Sequence, residues 1–246
     1  DAFNAVYEHY VVPFRLTLEQ TRLHIVANAI NLEHSPLLQD ESGRLVGLAA
    51  LGVRSNRGWV GGFGLTVHAR GQGLSQVLMT ALLDAARSLS LRQVQLEVLC
   101  NNAAAIRVYQ KAGFVRTREL RFLVREAGVS KPPEADGAVS SAAAAHILPH
   151  AARLHPEAPC WQREAASLAA TPDLQGFVVG SAAAPTAYAL VRASNAELRI
   201  ADVAAADVAH IPPLVAALAS RFPGRRMVLS NEPASSPIGL VLEQQG

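Results

Sequence analysis

Helical and extended spacings of apolar residues succeed one another along the first half of the chain. Residues 2–10 and 18–29 read as two helices joined through Pro13, and Thr17 with Gln20 has the spacing of a capping box for the second. Residues 36–40, 45–53 and 58–66 read as three strands of an antiparallel meander, turning at Glu41-Ser42-Gly43 and Ser55-Asn56-Arg57-Gly58. A helical stripe follows at 73–89, where Leu74, Val77, Leu78, Ala81, Leu82 and Ala85 share one face. Residues 93–99 then alternate, with Val94, Leu96 and Val98 on one side and Gln95 and Glu97 on the other. A short helix at 103–112 and a strand at 115–125 complete this half.

The pattern breaks at 127–141, where Pro132-Pro133, glycines and small polar residues have the composition of a linker. A helical segment around 142–170 comes next. Strands near 175–180, 186–192 and 196–204, a helix near 207–221, a strand near 226–230 and a helix near 236–245 follow it. This order of elements resembles that of the first half, so the chain is expected to hold two α/β units of the α+β, mixed-sheet kind. The expected bounds are 1–126 for the first unit, 127–141 for the linker and 142–246 for the second.

Composition narrows the possibilities. Half of the 246 residues are hydrophobic and 17% are charged, as in ordinary globular domains. Residues 1–126 hold 14 Lys/Arg against 10 Asp/Glu, and the remainder holds 8 against 10. The first half is therefore the better host for an anion, and the excess is too small to suggest nucleic acid. Cys100 and Cys160 are too few for a disulfide framework, so a reducing cytoplasm is the expected compartment. No apolar run approaches a membrane span and no signal segment opens the chain, so no membrane partner is expected. His146, His150, His155 and Cys160 match no standard zinc spacing. They read as scattered surface residues, and no metal is expected.

The candidate chemistry begins where the strand at 58–66 gives way to the helix at 73–89. Arg70-Gly71-Gln72-Gly73 lies between them. A helix N-terminus offers unpaired N–H groups and a positive dipole end, and glycines let a bulky diphosphate approach the backbone. A tight turn is the plain alternative. The run is neither a P-loop nor a dinucleotide fingerprint.

A second run changes the weight of the first. Phe63-Gly64-Leu65-Thr66-Val67-His68-Ala69-Arg70-Gly71-Gln72-Gly73-Leu74-Ser75, followed by Leu96 to Phe114, closely resembles the GNAT superfamily of acetyl-CoA-dependent N-acyltransferases. The first motif matches through Arg70, Gly73 and Ser75. Ser75 stands where the family has Gly or Ala, and Val67 where it often has Pro. Asn102, Ala105, Tyr109, Gly113 and Phe114 match the second motif throughout. The resemblance covers about residues 3–125.

The resemblance implies a GNAT fold, acetyl-CoA as acyl donor and an amine acceptor, either a small molecule or a peptide. It leaves the oligomeric state open. It implies that the backbone of Phe63-Gly64-Leu65 pairs with the pantetheine arm, and that the N–H groups of Gly71, Gln72, Gly73, Leu74, Ser75 and Gln76 hold the pyrophosphate beside Arg70. Tyr109 is the proposed general acid that protonates the leaving thiolate; a core-packing ring is the alternative. Glu97 is the candidate general base for the amine; a carboxylate that only orders the sheet is the alternative. Asn102 and Ala105 fall at the cofactor, although Asn102 is equally an N-cap. Tyr7 and Tyr10, with Asn4, lie where the family borders its acceptor groove; ordinary amphipathic packing of the two rings is the alternative. Nothing here sizes the acyl cavity, so another acyl-CoA, or a non-catalytic acyl-CoA sensor, stands as an alternative.

The second half resembles the same domain with its chemistry removed. Setting Gly113 against Gly246 puts Asn102 on Ser235, Val108 on Val241 and Tyr109 on Leu242. The turn at Ala205-Ala206 carries no Arg-x-x-Gly. A tandem GNAT protein with one cofactor site is the expectation. Both ends of the chain also look cut back against the family pattern.

Overall fold

Two long antiparallel strands organise the first unit. In chain order it holds α1 (Ala2–Tyr7), α2 (Leu18–Ala27), β1 (Leu37–Gln39), β2 (Leu45–Arg54), β3 (Arg57–Leu65), α3 (Leu74–Ser88), β4 (Gln93–Gln95) and α4 (Ala103–Lys111). The computed structural model describes residues 2–8, 15–128 and 139–244. Tyr10, Pro13 and most of the expected linker lie outside the described residues. Contacts divide the chain into two compact units, Asp1–Arg116 and Thr117–Gly246.

The sheet order is β1-β2-β3-β4, antiparallel except for β3 and β4, which run parallel. The hairpin β2–β3 is tight because Ser55 takes a positive φ at its turn. Thr17 and Gln20 cap α2 reciprocally: Gln20 N–H donates to Thr17 Oγ1 at 3.2 Å, and Thr17 N–H to Gln20 Oε1 at 2.9 Å. Leu78, Met79, Leu82 and Ala86 of α3 are buried against Leu51, Val60 and Leu65 of the sheet. The helix is thus turned relative to the expected stripe, and Val77 is exposed.

The second unit holds β5 (Leu120–Arg125), β6 (Val139–Ala143), the short helices α5 (Ala144–Ile147), α6 (Ala151–Leu154) and α7 (Ala165–Ala169), then β7 (Gln175–Ser181), β8 (Ala184–Ala193), β9 (Glu197–Ala205), α8 (Ile211–Arg221), β10 (Arg226–Pro233) and α9 (Pro237–Gln244). The order in its sheet is β5-β10-β9-β8-β7-β6. The expected helical stretch at 142–170 is broken into short pieces. Pro149, Pro156 and Pro159 fall along it, and proline interrupts a helix ladder.

The strand expected at 115–125 as part of the first unit sits elsewhere. As β5 it pairs antiparallel with β10, and Leu123 packs on the second core. The units accordingly divide at 116, ahead of the expected boundary at 126.

The two units repeat one connectivity. β2 and β3 correspond to β8 and β9, each an antiparallel hairpin followed by a helix and a parallel strand. Even the irregularities correspond: the register shifts between Ala50 and Leu51 in one unit and between Leu190 and Val191 in the other. Among the described residues, no helix is long and apolar enough to cross a membrane.

Gly176 on β7 tests the packing of the second unit. A Cβ there would lie 2.4 Å from the carbonyl oxygen of Ala142, its partner across the sheet, and 2.4 Å from Ile147 Cδ1. The carbonyl cannot retreat without loosening the ladder. Gly176→Ala is expected to destabilise the unit by roughly 1–3 kcal/mol, read by denaturant unfolding.

Candidate functional site

The geometry of the site starts with a pair of strands that part. β3 and β4 are in parallel register at Arg57–Gln93, Gly58–Val94 and Trp59–Gln95, and there the pairing stops. β3 carries a bulge at this point, since Ala50 faces Gly62 while Leu51 faces Val60, with Gly61 between. A bulge bends its strand and increases the local twist. Residues 96–99, expected to continue the strand, therefore have no ladder, and a cleft opens between them and Val60–Leu65.

Two backbone groups of β3 beyond the bulge are held by side chains. Phe63 N–H donates to Tyr7 Oη at 3.1 Å, and Leu65 O accepts from Arg70 Nε at 3.3 Å. Sequence reasoning placed Tyr7 near a groove, and the structure brings it to the strand itself. Asn4 differs from expectation. Its carboxamide is bonded to both backbone groups of Leu16, so it ties down the start of the chain segment before α2.

The turn from β3 to α3 has the form the glycines suggest. Gly71 and Gly73 adopt left-handed φ values of 78° and 77°, where a Cβ is disfavoured, and nothing lies within 4 Å of the position a Cβ would take on either. Gly73 is the N-cap of α3 and offers no side chain to the helix. Among the described residues, none accepts a hydrogen bond from the N–H of Gly71, Gln72, Gly73, Leu74 or Ser75. These donors converge at the positive end of a fifteen-residue helix. Gln76 departs from its expected part. Its N–H is engaged by Gly73 O at 3.0 Å, and its side chain donates to Val108 O at 3.4 Å. It braces α3 against α4. The Gln72 side chain is likewise engaged, at His68 O.

α4 carries Tyr109 to the cleft. The Tyr109 ring meets Phe63 of β3 edge-on at 5.7 Å and Phe114 at 6.0 Å, and it is half-buried against the core. Asn102 caps α4 by accepting from Ala105 N–H at 3.1 Å, so both groups serve the helix start. Glu97 lies two residues past the end of β4, half-buried, with Trp59 Nε1 donating to its Oε2 at 2.7 Å. Sequence reasoning gave Trp59 no part in the site.

The same parting of strands in the second unit is filled. β9 and β10 pair in parallel from Glu197–Arg226 to Ile200–Leu229 and no further. Past that point the Arg163 guanidinium bridges them. Nε donates to Asp202 Oδ1 at 2.8 Å and Nη2 to Val203 O at 3.3 Å on β9, while Nη1 reaches Glu232 Oε2 and Asn231 O on β10. Asp202 also accepts from Tyr188 and meets His155 Nε2 at 3.0 Å. Burial alone would raise the Asp202 pKa. The Arg163 charge and the bonds from His155 and Tyr188 outweigh it and hold the group below its ordinary value of 3.8. Burial likewise opposes the Arg163 charge, and the two carboxylates overcome it.

His155 and Cys160, expected at the surface, are thus buried parts of this region. Among the described residues, no group of three His, Cys, Asp or Glu could hold a metal ion.

The helix after β9 also lacks a phosphate cradle. Residues 206–210 replace the longer turn at 66–73, Asp207 brings a carboxylate, and α8 opens with Pro212 and Pro213, which have no N–H to donate. The helix caps correct the expected alignment of the repeats. Ser236 Oγ accepts from Gly239 N–H as Asn102 does from Ala105 N–H. Asn102 therefore corresponds to Ser236, and Tyr109 to Glu243, whose carboxylate pairs with Arg121.

Residues 3–114 match the family model described as the Acetyltransferase (GNAT) family. A curated relative from Bacillus subtilis subsp. natto, named "Probable spermine N(1)-acetyltransferase", is 33% identical over 89 residues. The match spans 32% of this chain and 59% of that protein's length. Two solved structures share the fold of the whole chain. A GCN5-related N-acetyltransferase from Sphaerobacter thermophilus has a TM-score of 0.64 at 13% identity, covering 98% of this chain and 85% of its own. A tandem GNAT protein from the clavulanic acid biosynthesis pathway has a TM-score of 0.63 at 12% identity, covering 99% and 88%. The chain therefore folds as two tandem GNAT-like units.

The Arg163 bridge yields two expectations. Arg163→Met leaves Asp202 and Glu232 as unpaired buried carboxylates and is expected to destabilise the second unit by roughly 3–5 kcal/mol in denaturant unfolding. Because the folded pKa of Asp202 is depressed, its contribution is complete above the ordinary value of 3.8 and is lost as pH falls through the folded value. Acid unfolding of the parent should show this loss of stability, and Asp202→Asn should flatten it.

Proposed function

We propose that the first unit transfers an acetyl group from acetyl-CoA directly to a primary amine, of a small molecule or a peptide, and that it is the single acyl-CoA site of the chain. The observation that carries this reading is the row of unengaged N–H groups from Gly71 to Ser75. They stand at the start of α3, over open space that a Cβ would enter, at one end of the β3 cleft. A diphosphate fits that chemistry: it accepts several N–H bonds at once and is favoured by the helix dipole. The exposed Arg70 adds charge beside it.

Acetyl-CoA supplies an acetyl group activated as a thioester. The backbone of Phe63 to Leu65 receives its pantetheine arm as an added strand, with Tyr7 and Arg70 giving up their bonds to Phe63 N–H and Leu65 O. In the transfer, the bond from the acetyl carbon to nitrogen forms as its bond to sulfur breaks. Glu97 takes the proton that the amine loses, directly or through water, and the Tyr109 hydroxyl gives its proton to the departing sulfur. The edge-on contact of Tyr109 with Phe63 supports this role, because it places the phenol against the strand that would hold the thioester. In the second unit, the proline-started helix and the Arg163-filled cleft support a unit without cofactor.

The kinship with a protein named for spermine acetylation makes polyamines the first acceptors to test. A panel of spermine, amino acids and peptides with free N-termini should release CoA for at least one member. Acetyl-CoA that binds without CoA release across the panel would favour a sensor. Tyr109→Phe is expected to lower kcat roughly a hundredfold with acetyl-CoA affinity intact. Gly73→Glu places a Cβ at positive φ and a carboxylate at the anion site, and should weaken acetyl-CoA binding at least tenfold in calorimetry.

A further inference from the structure

Trp59 stands at the last paired position of β3, opposite Gln95, where the two strands part. Its side chain is 3% exposed. The indole is wedged over the bulge: a Cβ on Gly61 would lie 2.4 Å from Trp59 Cζ3 and 2.7 Å from Ile30 Cδ1. The His24 ring of α2 lies 6.2 Å away on centroids, and burial holds that imidazole below its ordinary pKa. Its Nε1 donates to Glu97 Oε2 at 2.7 Å.

A buried indole N–H requires an acceptor, and a carboxylate is a strong one. Glu97 lies beyond the last rung of β4, so no strand ladder orients its backbone. We propose that Trp59 is the positioning residue of the acetyl transfer: the indole N–H, locked by Gly61 and the surrounding core, aims the Glu97 carboxylate at the amine. This rests on the assignment of Glu97 as the base. A fixed donor on one carboxylate oxygen removes rotamers that a half-buried glutamate otherwise samples, and misplacement of a catalytic group by about 1 Å can cost a hundredfold in rate.

The tie has a signature that does not need turnover. Trp59 and Trp161 are the two tryptophans of the chain, so an amide correlation spectrum carries two indole N–H resonances. Glu97→Gln should move the Trp59 resonance and leave that of Trp161 in place; a stationary Trp59 resonance would overturn the proposal.

The catalytic test is a double-mutant cycle on the best amine of the panel, spermine first. Trp59→Phe is expected to lower kcat roughly tenfold to a hundredfold, with the KM for acetyl-CoA unchanged, in the parent. In the Glu97→Gln background it should lower kcat no further. Equal losses in both backgrounds would make Trp59 a packing residue and sink the idea. Gly61→Ala, which displaces the indole while keeping its N–H, should reproduce the kcat loss. Full activity in Glu97→Gln alone would instead remove the base assignment, an outcome distinguishable from failure of the Trp59 cycle.

Discussion

The bulge at Gly61 is the constraint on which the site depends. Parallel strands normally stay bonded along their length, and a cleft between them requires that one be turned aside. Here the register slips at one residue of β3, the ladder to β4 ends at Trp59–Gln95, and β3 beyond it stays paired with β2 but has no strand neighbour on its other edge. The carboxylate of Glu97, the phenol of Tyr109 and the glycine turn before α3 are all placed around that opening. None of them lies in a loop free to wander: Glu97 is tied to Trp59, Tyr109 is wedged by two aromatic rings, and Gln76 braces α3 to α4.

In the second unit the same opening is filled by side chains of the chain itself. Parting strands expose backbone carbonyls inside the fold, and buried polar groups need partners. Arg163 meets that need on both sides at once, with carbonyls of Val203 and Asn231 and carboxylates of Asp202 and Glu232. A planar guanidinium suits the place because its donors fork in two directions. Two units with one connectivity thus stabilise a similar break in different ways. In the first, Tyr7 and Arg70 hold single backbone groups from the side and stay near the surface. In the second, the bridge is buried and is part of the core.

This contrast gives a physical account of an asymmetric tandem protein. Loss of the glycine turn removes N–H donors, and two prolines at the start of α8 remove more. Asp207 stands beside the helix start, where its carboxylate accepts from Ala209 N–H. The opening between β9 and β10 holds a buried salt-bridged network.

Most of the element order was legible in the sequence, because period and turn chemistry act locally. Leu74 to Ala85 announced α3, Thr17 and Gln20 announced the start of α2, and Gly71 and Gly73 marked a strand-to-helix turn, whose left-handed φ values the structure adds. The two GNAT motifs and the repeated order of elements were likewise readable as residue types at fixed spacing. What tertiary structure alone decided involves pairs distant in the chain. β5 joined the second sheet because its partner β10 lies a hundred residues later, a choice invisible to local alternation. Nothing in the sequence singled out Trp59 or Arg163, since their hydrogen-bond partners Glu97, Asp202 and Glu232 are brought to them only by folding. The residues that could bind an anion were marked by their own backbone needs, and those that hold the cleft open or shut were marked only by their neighbours.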